Sequence, residues 1–459
     1  MARKPKFDYD LIVIGSGAAG STTALAVAKK GKKVALIEDS VFGGESPNWG
    51  DIPTAALLHA AHIYSEARHA SRFGLRTTTL SYNFPLVMQW RDKVIKRTGA
   101  ADNEQYYRKF NIDTHSGIAY FLSPHEISVN RKRFTAEQFV IATGARFKQP
   151  DVYGIETIHY KTPKTILASK RIPKSLCIVG SNSEAIEFAQ LFATFGTKVY
   201  IIEKSSRLMP KEDSEVGELM ERFLAESRGI TCLTHTQITS VEPKGLGVRL
   251  SYAKDDAHRT IQIDELLFTD NREPNVDLGL DNAVVGYTPA GIEVNDALQT
   301  TAKHIYAGGS VVLDDCPTQV ALLHGKIIAH NILNKNKSAE QPAIENIPRI
   351  TFSSPEVTSV GLSENDCIKR DLRVDQAIVP LTLIPRSNTS DTSYGFVKII
   401  ADKKGVLLGG TIVAPHAAEM IQELSLAIHQ GMLASDLADT PHAFLSWSEA
   451  VRAAAQKLS

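Results

Sequence analysis

Short apolar runs alternate with amphipathic stretches of helical period along most of the chain. The first run, Tyr9-Asp-Leu-Ile-Val-Ile14, reads as a strand buried in a parallel sheet. It leads into Gly15-Ser-Gly-Ala-Ala-Gly20, a predicted helix ending near Gly31, and a second strand, Val34-Ala-Leu-Ile37, closed by Glu38. The cycle then recurs. Leu176-Cys-Ile-Val179 leads into Gly180-Ser-Asn-Ser-Glu-Ala185, a helix to Gly196, the strand Val199-Tyr-Ile-Ile202 and Glu203. In both copies 23 residues separate the first glycine from the acidic residue. Two matched βαβ units predict an α/β chain holding two nucleotide-binding folds, a far more specific signal than one glycine motif.

Further on, the pattern predicts a strand over Glu265–Phe268, then Ile305-Tyr-Ala-Gly-Gly309, and a proline-containing break over 341–348. The last segment has strand patterns over 395–401 and 406–413, then helix patterns over 417–430 and 447–457. It reads as a separate α+β domain.

Composition narrows the function. At 459 residues the chain exceeds one core, and roughly 150 residues per domain predicts about three domains. Hydrophobic residues are 43% and charged residues 22%, an ordinary globular balance. Lys and Arg number 51 and Asp and Glu 51, so the net charge is zero and no whole domain is built to hold nucleic acid. No apolar run approaches the ~18 residues of a membrane span. The basic start, Met1-Ala-Arg-Lys-Pro-Lys6, has no apolar region after it, so no export signal is expected. Cys177, Cys232, Cys316 and Cys367 are scattered, which argues against a disulfide scaffold or a zinc cluster and makes the cytoplasm the expected location.

A dinucleotide's diphosphate needs free N–H donors and the positive end of a helix dipole. Gly15 permits the tight turn, Gly17 lets backbone approach phosphate, and Gly20 lets helix and strand pack closely. Glu38 is placed to accept from the adenosine ribose hydroxyls. The first site is intact.

The order of motifs is telling. Gly43-Gly44-x-x-x-Asn48-x-Gly50-x-Ile52-Pro53 follows the first unit, and Ala142-Thr143-Gly144-Ala145-Arg146 follows a strand. After the second glycine motif come Arg272-x-Pro274-Asn275 and Ile305-Tyr-Ala-Gly-Gly309, then Pro355-Glu-Val-Thr-Ser-Val-Gly361 and Ser448-Glu449-Ala450-Val451. Nearly the whole chain thereby resembles the pyridine nucleotide-disulfide oxidoreductases, the group of dihydrolipoamide dehydrogenase, mercuric reductase and glutathione reductase. The resemblance implies two Rossmann-like domains, for FAD and NAD(P), plus a C-terminal α+β dimerisation domain in a homodimer. It divides the chain into an FAD domain of 1–148 and 272–345, an NAD(P)-binding-like domain of 149–271 and a dimerisation domain of 346–459. It assigns to FAD Gly15, Gly17, Gly20, Glu38, Gly44, Ser46, Ala119, Thr143, Gly144 and Ser310, and to NADH Gly180, Asn182 and Glu203. In such enzymes a hydride passes from NAD(P)H to flavin, then to a disulfide, then to substrate.

Departures from that pattern are concentrated at the chemistry. The two redox cysteines are replaced by Ser46 and Asp51, so no disulfide relay runs through this loop. The lysine four positions on is Ala55, while its glutamate partner is kept as Glu187. Without its cation, Glu187 must be protonated, hydrated or paired elsewhere, unless it is simply a solvated helix residue. The acid/base histidine is replaced by Phe444, with Leu445 after it, although Glu449 remains. His442, two residues upstream, reads as structural unless it reaches the flavin. The aspartate that bonds the flavin's sugar-alcohol chain is Ser310, a loss of ~1 kcal/mol.

In the second site Asn182 stands where a glycine admits the pyrophosphate, and Glu184 adds a negative charge. The family's second Ala-Thr-Gly reads Thr269-Asp270-Asn271. Glu203 favours NADH over NADPH, with Lys204 and Arg207 following it. The unit reads either as a weakened NADH site or as structural only.

Asp51 and Trp49 are the remaining candidates beside a flavin. Asp51, if buried, could donate a proton; otherwise it caps a helix beginning Ile52-Pro53-Thr54. Trp49 could stack on flavin or an aromatic acceptor, or pack in the core. His59 and His62 read as structural. Together the residues point to an FAD-dependent oxidoreductase that passes electrons from NAD(P)H to a small acceptor such as a quinone without disulfide chemistry. Asp51, Trp49, Glu187, His442 and Glu449 are its candidate catalytic groups. The alternative is a flavin-binding scaffold or sensor without turnover. Dihydrolipoamide dehydrogenase activity is excluded by the missing sulfur atoms.

Overall fold

The computed structural model describes residues 7–76, 79–255, 257–313, 316–334, 338–392 and 394–459; the basic start of the chain lies outside the described residues. Two compact units emerge. One comprises the chain up to Ala56, Gln89–Gln149 and Asn271–Ile344; the other comprises Leu57–Met88, Pro150–Asp270 and Glu345–Ser459.

The first unit is built on a parallel sheet in which β1 (Tyr9–Ile14) lies between β2 (Val34–Glu38) and the strand Lys132–Ile141. Ile112–Ser116 flanks β2, and Ile305–Ala307 pairs with Lys132–Ile141, both parallel. Leu11, Ile12, Val13 and Ile14 are all buried, as a strand covered on both faces requires. Helix α1 (Ala18–Ala28) returns from β1. Its small residues let the helix Thr318–Leu333 approach closely: a Cβ added to Gly325 would lie 2.5 Å from the Ala19 carbonyl oxygen. Thr23 Oγ1 donates to the Gly325 carbonyl across this contact at 3.1 Å. Helix α2 (Asp51–His69) starts in this unit and belongs to the second from Leu57 onward.

In the second unit the βαβ cycle recurs as β3 (Ser175–Val179), α3 (Ser183–Thr194) and β4 (Lys198–Ile202). The parallel sheet runs Thr231–Leu233, β4, β3, Glu265–Phe268. A three-stranded antiparallel sheet of Thr236–Lys244, Gly247–Lys254 and Ala257–Ile263 lies in the same unit. The C-terminal segment forms a five-stranded antiparallel sheet from Arg349–Thr351 to Leu407–Ala414. Its core joins Val397, Ile399 and Ile412 to Ile421 and Leu424 of the helix Ala417–His429 and to Val451 of Glu449–Gln456. Among the described residues no helix is long and apolar enough to cross a membrane.

Candidate functional site

Ligands of open α/β sheets bind beyond the carboxyl ends of the strands. In the first unit Gly15, Ala142 and Gly308 meet there: Gly15 has φ +98° and would place a Cβ 2.2 Å from the Ala142 carbonyl oxygen, and Gly308 donates to the Ile141 carbonyl at 3.1 Å. Gly20 has no room for a side chain, because a Cβ would lie 1.9 Å from the Gly15 carbonyl oxygen. Gly17 is different: nothing lies within 4 Å of the position its Cβ would take. As N-cap of α1 it offers no side chain to the helix terminus, leaving the first-turn N–H groups for an anion.

Glu38 is buried at the end of β2, and burial pushes its carboxyl above the usual range. Its Oε2 accepts from Ser16 N at 2.8 Å and Ser16 Oγ at 2.6 Å, and its Oε1 accepts from Ser40 N at 3.0 Å. A carboxylate has about four acceptor sites, so one on Oε1 stays available to a ribose hydroxyl. The Ser16 hydroxyl oxygen in turn accepts from Gly43 N at 2.9 Å. Gly44 presses on the same turn, where a Cβ would lie 2.5 Å from Gly17 Cα. Ala119 starts the strand Ala119–Ser123 and faces the core. Thr143 Oγ1 donates to the Asn275 carbonyl at 2.8 Å, and Asn275 N donates to the Gly144 carbonyl at 3.0 Å. The Ala142–Arg146 and Arg272–Asn275 motifs are thereby one structure. An open diphosphate cradle with an acidic residue beside it fits FAD.

The loop after β2 carries Ser46 in one helical turn, Glu45–Asn48. Sequence gave no sign of what holds it. Arg272 makes a two-pronged pair with Glu45, both contacts 2.8 Å, and lies 4.6 Å from the centre of the Phe147 ring. Trp49, half-buried, tilts against the same Phe147 with ring centres 6.0 Å apart. A separation of 227 residues between Glu45 and Arg272 leaves no local trace.

Asp51 is exposed, and α2 begins on it, which corrects the expected helix start at Ile52. It is therefore the first helical residue, favourable to the dipole, and its Oδ2 accepts from Thr318 Oγ1 at 2.6 Å. All four cysteines are free thiols, and burial pushes Cys232 up to about 12 and raises Cys177 and Cys367, so these three are not primed to become thiolates.

The second turn repeats several of the first turn's hydrogen bonds. Ser181 Oγ donates to Glu203 Oε2 at 2.6 Å, Ser205 N donates to Glu203 Oε1 at 2.7 Å, and Met209 N donates to Ser181 Oγ at 3.0 Å. Glu203 takes the same serine-hydroxyl and i+2 backbone bonds as Glu38, so the acidic residue does little to distinguish the two sites. Asn182 does. Its backbone matches Gly17 (φ −67°, ψ 177° against φ −63°, ψ −173°), but its Oδ1 accepts from Ala185 N at 2.9 Å. Asp270 also closes in: its Oδ1 lies 1.8 Å from where a Gly180 Cβ would stand. Asp270 is exposed, yet the neighbouring chain partly desolvates its carboxyl and raises it above the usual carboxylate range. Arg207 turns inward, donating to the carbonyls of Pro210 at 3.2 Å and Glu212 at 3.1 Å.

Three candidates lie in the remainder of the second unit. Glu187 is no solvated helix residue: it is 7% exposed, and its Oε1 accepts from Phe352 N at 2.7 Å. His442 bonds Glu423 Oε1 through Nε2 at 2.6 Å and the Thr440 carbonyl through Nδ1 at 2.8 Å, a structural bridge. Glu449 accepts from Leu445 N at 2.8 Å, the bond that holds Leu445 at φ +63°. Beside it Phe444 is 76% exposed. Among the described residues no group of His, Cys, Asp and Glu is arranged to hold a metal.

Comparison with known proteins agrees with this geometry. Residues 9–335 match the pyridine nucleotide-disulphide oxidoreductases and residues 347–455 the dimerisation domain of the same family. A mercuric reductase of Lysinibacillus sphaericus is 31% identical over 98% of this chain and 82% of its own. A dihydrolipoyl dehydrogenase of Geobacillus stearothermophilus is 31% identical over 98% and 96%. The HOCl-induced flavoprotein disulfide reductase RclA of Escherichia coli superposes with a TM-score of 0.86 at 26% identity, covering 98% of this chain and 99% of that one. Members of the family bind FAD and NAD(P)H, and the first site keeps the FAD features; the chain belongs to the pyridine nucleotide-disulphide oxidoreductases.

Proposed function

We propose that this chain is an FAD-dependent oxidoreductase that reduces a small acceptor such as a quinone with no dithiol between cofactor and acceptor. The observation that carries this reading is the loop itself: Ser46 and Asp51 stand at the positions the resemblance gives to the redox cysteines. Cys177, Cys232 and Cys367 have thiols raised by burial and supply no substitute. When bound, the flavin supplies the electron-transfer chemistry, and the protein supplies orientation and electrostatics. Trp49, held by Phe147, gives an aromatic surface in the loop. Phe444, exposed where the family has its acid/base histidine, offers an apolar surface and no proton. Asp51, anchored by Thr318, is an ionisable group in the same unit as Trp49.

NADH is the proposed donor, bound weakly, because a diphosphate must displace the Asn182 cap and meet Asp270 and Glu184. The test is anaerobic titration of the purified yellow protein. The reading requires that NADH bleach the flavin, that a quinone restore it, and that each flavin consume one two-electron equivalent with no thiolate–flavin absorption band. A second reading, a scaffold without turnover, draws on the same Asn182 cap; a colour that persists under both NADH and NADPH would establish it against the first.

A further inference from the structure

The helix Thr318–Leu333 carries one side chain that packing alone does not account for. His324 is 2% exposed and lies under the turn Gly308–Gly309–Ser310, where a Gly308 Cβ would be 3.1 Å from His324 Cβ. Gly309 N donates to His324 Nδ1 at 3.1 Å, so Nδ1 is the acceptor and the ring proton resides on Nε2. That Nε2 is buried and has no hydrogen-bond partner among the described residues. Burying an unpaired donor is costly, and leucine would fill the same space without the cost. Burial disfavours protonation of the ring, which preserves the Nδ1 acceptor.

The turn above it lies against the first residues of α1: a Gly309 Cβ would be 3.5 Å from Ala19 Cβ. The diphosphate cradle and the Ser310 backbone are therefore neighbours. Where the family has a charged aspartate, Ser310 has a neutral hydroxyl. A neutral hydrogen bond is worth less than a charged one and weakens steeply with poor geometry, so its value depends on where the turn is held.

We propose that His324 is a positioning residue for FAD: through the Gly309 N–H it fixes the turn that presents Ser310 to the cofactor's sugar-alcohol chain. The inference rests on FAD occupying the first site. Two variants of the full chain test it. His324→Leu keeps the bulk and removes the acceptor; His324→Asn keeps an acceptor near the place of Nδ1. FAD dissociation is read from the fluorescence released on diluting the holoenzyme, and fold stability from circular-dichroism melting of FAD-stripped protein. We expect His324→Leu to hold FAD about tenfold more weakly while melting at or above the wild-type temperature, and His324→Asn to recover most of the affinity. Unchanged FAD affinity in His324→Leu, or equal losses in both variants, overturns the positioning role. Wild-type protein that takes up no FAD instead defeats the reading on which the role rests.

Discussion

Replacing Asn182 with glycine isolates what separates the two dinucleotide turns. The backbone there is extended, with φ −67° and ψ 177°, the geometry Gly17 adopts in the first turn, so glycine needs no rearrangement. The substitution removes one cap, Asn182 Oδ1 to Ala185 N at 2.9 Å, and a long contact from Nδ2 to the Thr269 carbonyl at 3.4 Å. An N-cap Asn changed to Gly costs only a few tenths of a kcal/mol of stability, whereas a full cap is worth ~1 kcal/mol. In binding, the sign reverses. The diphosphate of NADH no longer has to displace the cap, and ~1 kcal/mol corresponds to about a fivefold gain in affinity. Relief of the steric block adds to this, so fivefold is the lower bound. Stopped-flow bleaching of the flavin under anaerobic conditions, as a function of NADH concentration, measures the gain directly, with the melting temperature as control. Because Asp270 has a raised carboxyl pKa, lowering the pH toward it neutralises the charge beside Gly180 and should tighten NADH further. Half-saturation by NADH that stays at the wild-type concentration, with melting also unchanged, would refute the role given to Asn182.

The reciprocal change, Gly17→Asn, should leave the fold intact, since nothing lies within 4 Å of the Gly17 Cβ position, yet lower FAD content by about fivefold or more, read as the flavin-to-protein absorbance ratio. Lys398 is fully buried among Asp213 at 3.4 Å, Glu215 at 3.0 Å and Glu364 at 2.9 Å. Lys398→Met leaves the buried Asp213 carboxylate without its cation and should cost about 3–5 kcal/mol in urea unfolding of the second unit. The bond from Lys398 holds the Glu364 carboxyl below its usual range, so its stabilisation is present above the unfolded-state value and is lost as pH falls through the folded one. Acid unfolding below about pH 4 should therefore be shallower in Lys398→Met than in wild type. Asp51→Cys alone should give no dihydrolipoamide dehydrogenase activity, because Ser46, Ala55 and Phe444 remain unchanged; NAD⁺ reduction with dihydrolipoamide is the assay.

Much of the architecture was legible beforehand because its causes are local. Runs such as Leu11–Ile14 and Leu176–Val179 are apolar on both faces and can only be central strands, and glycine at 20 answers to a backbone contact with Gly15 within one βαβ unit. The strand expected over Glu265–Phe268 and the helix expected over 417–430 were recovered, the latter as Ala417–His429. Side-chain partners were not legible. Asp51 had the composition of a cap, but its carboxylate answers to Thr318, 267 residues away. Glu187 lacks the lysine expected four residues after Asp51, yet a backbone N–H from Phe352 fills the place, and no residue type signals that.

From the order of residues alone came the duplicated nucleotide folds, the missing sulfur pair and the missing histidine, since motif spacing and residue chemistry are properties of the chain itself. The sequence marked Asn182 as the difference between the two matching turns; folding decided how that side chain closes the second one. Gly17 and Asn182 share one backbone geometry, and whether the helix terminus is free or already bonded depends on where a side-chain oxygen lands in space. Folding also placed Asp270 beside Gly180, Arg272 on Glu45 and His324 beneath Gly309, contacts whose energies arise only once the tertiary structure brings these residues together.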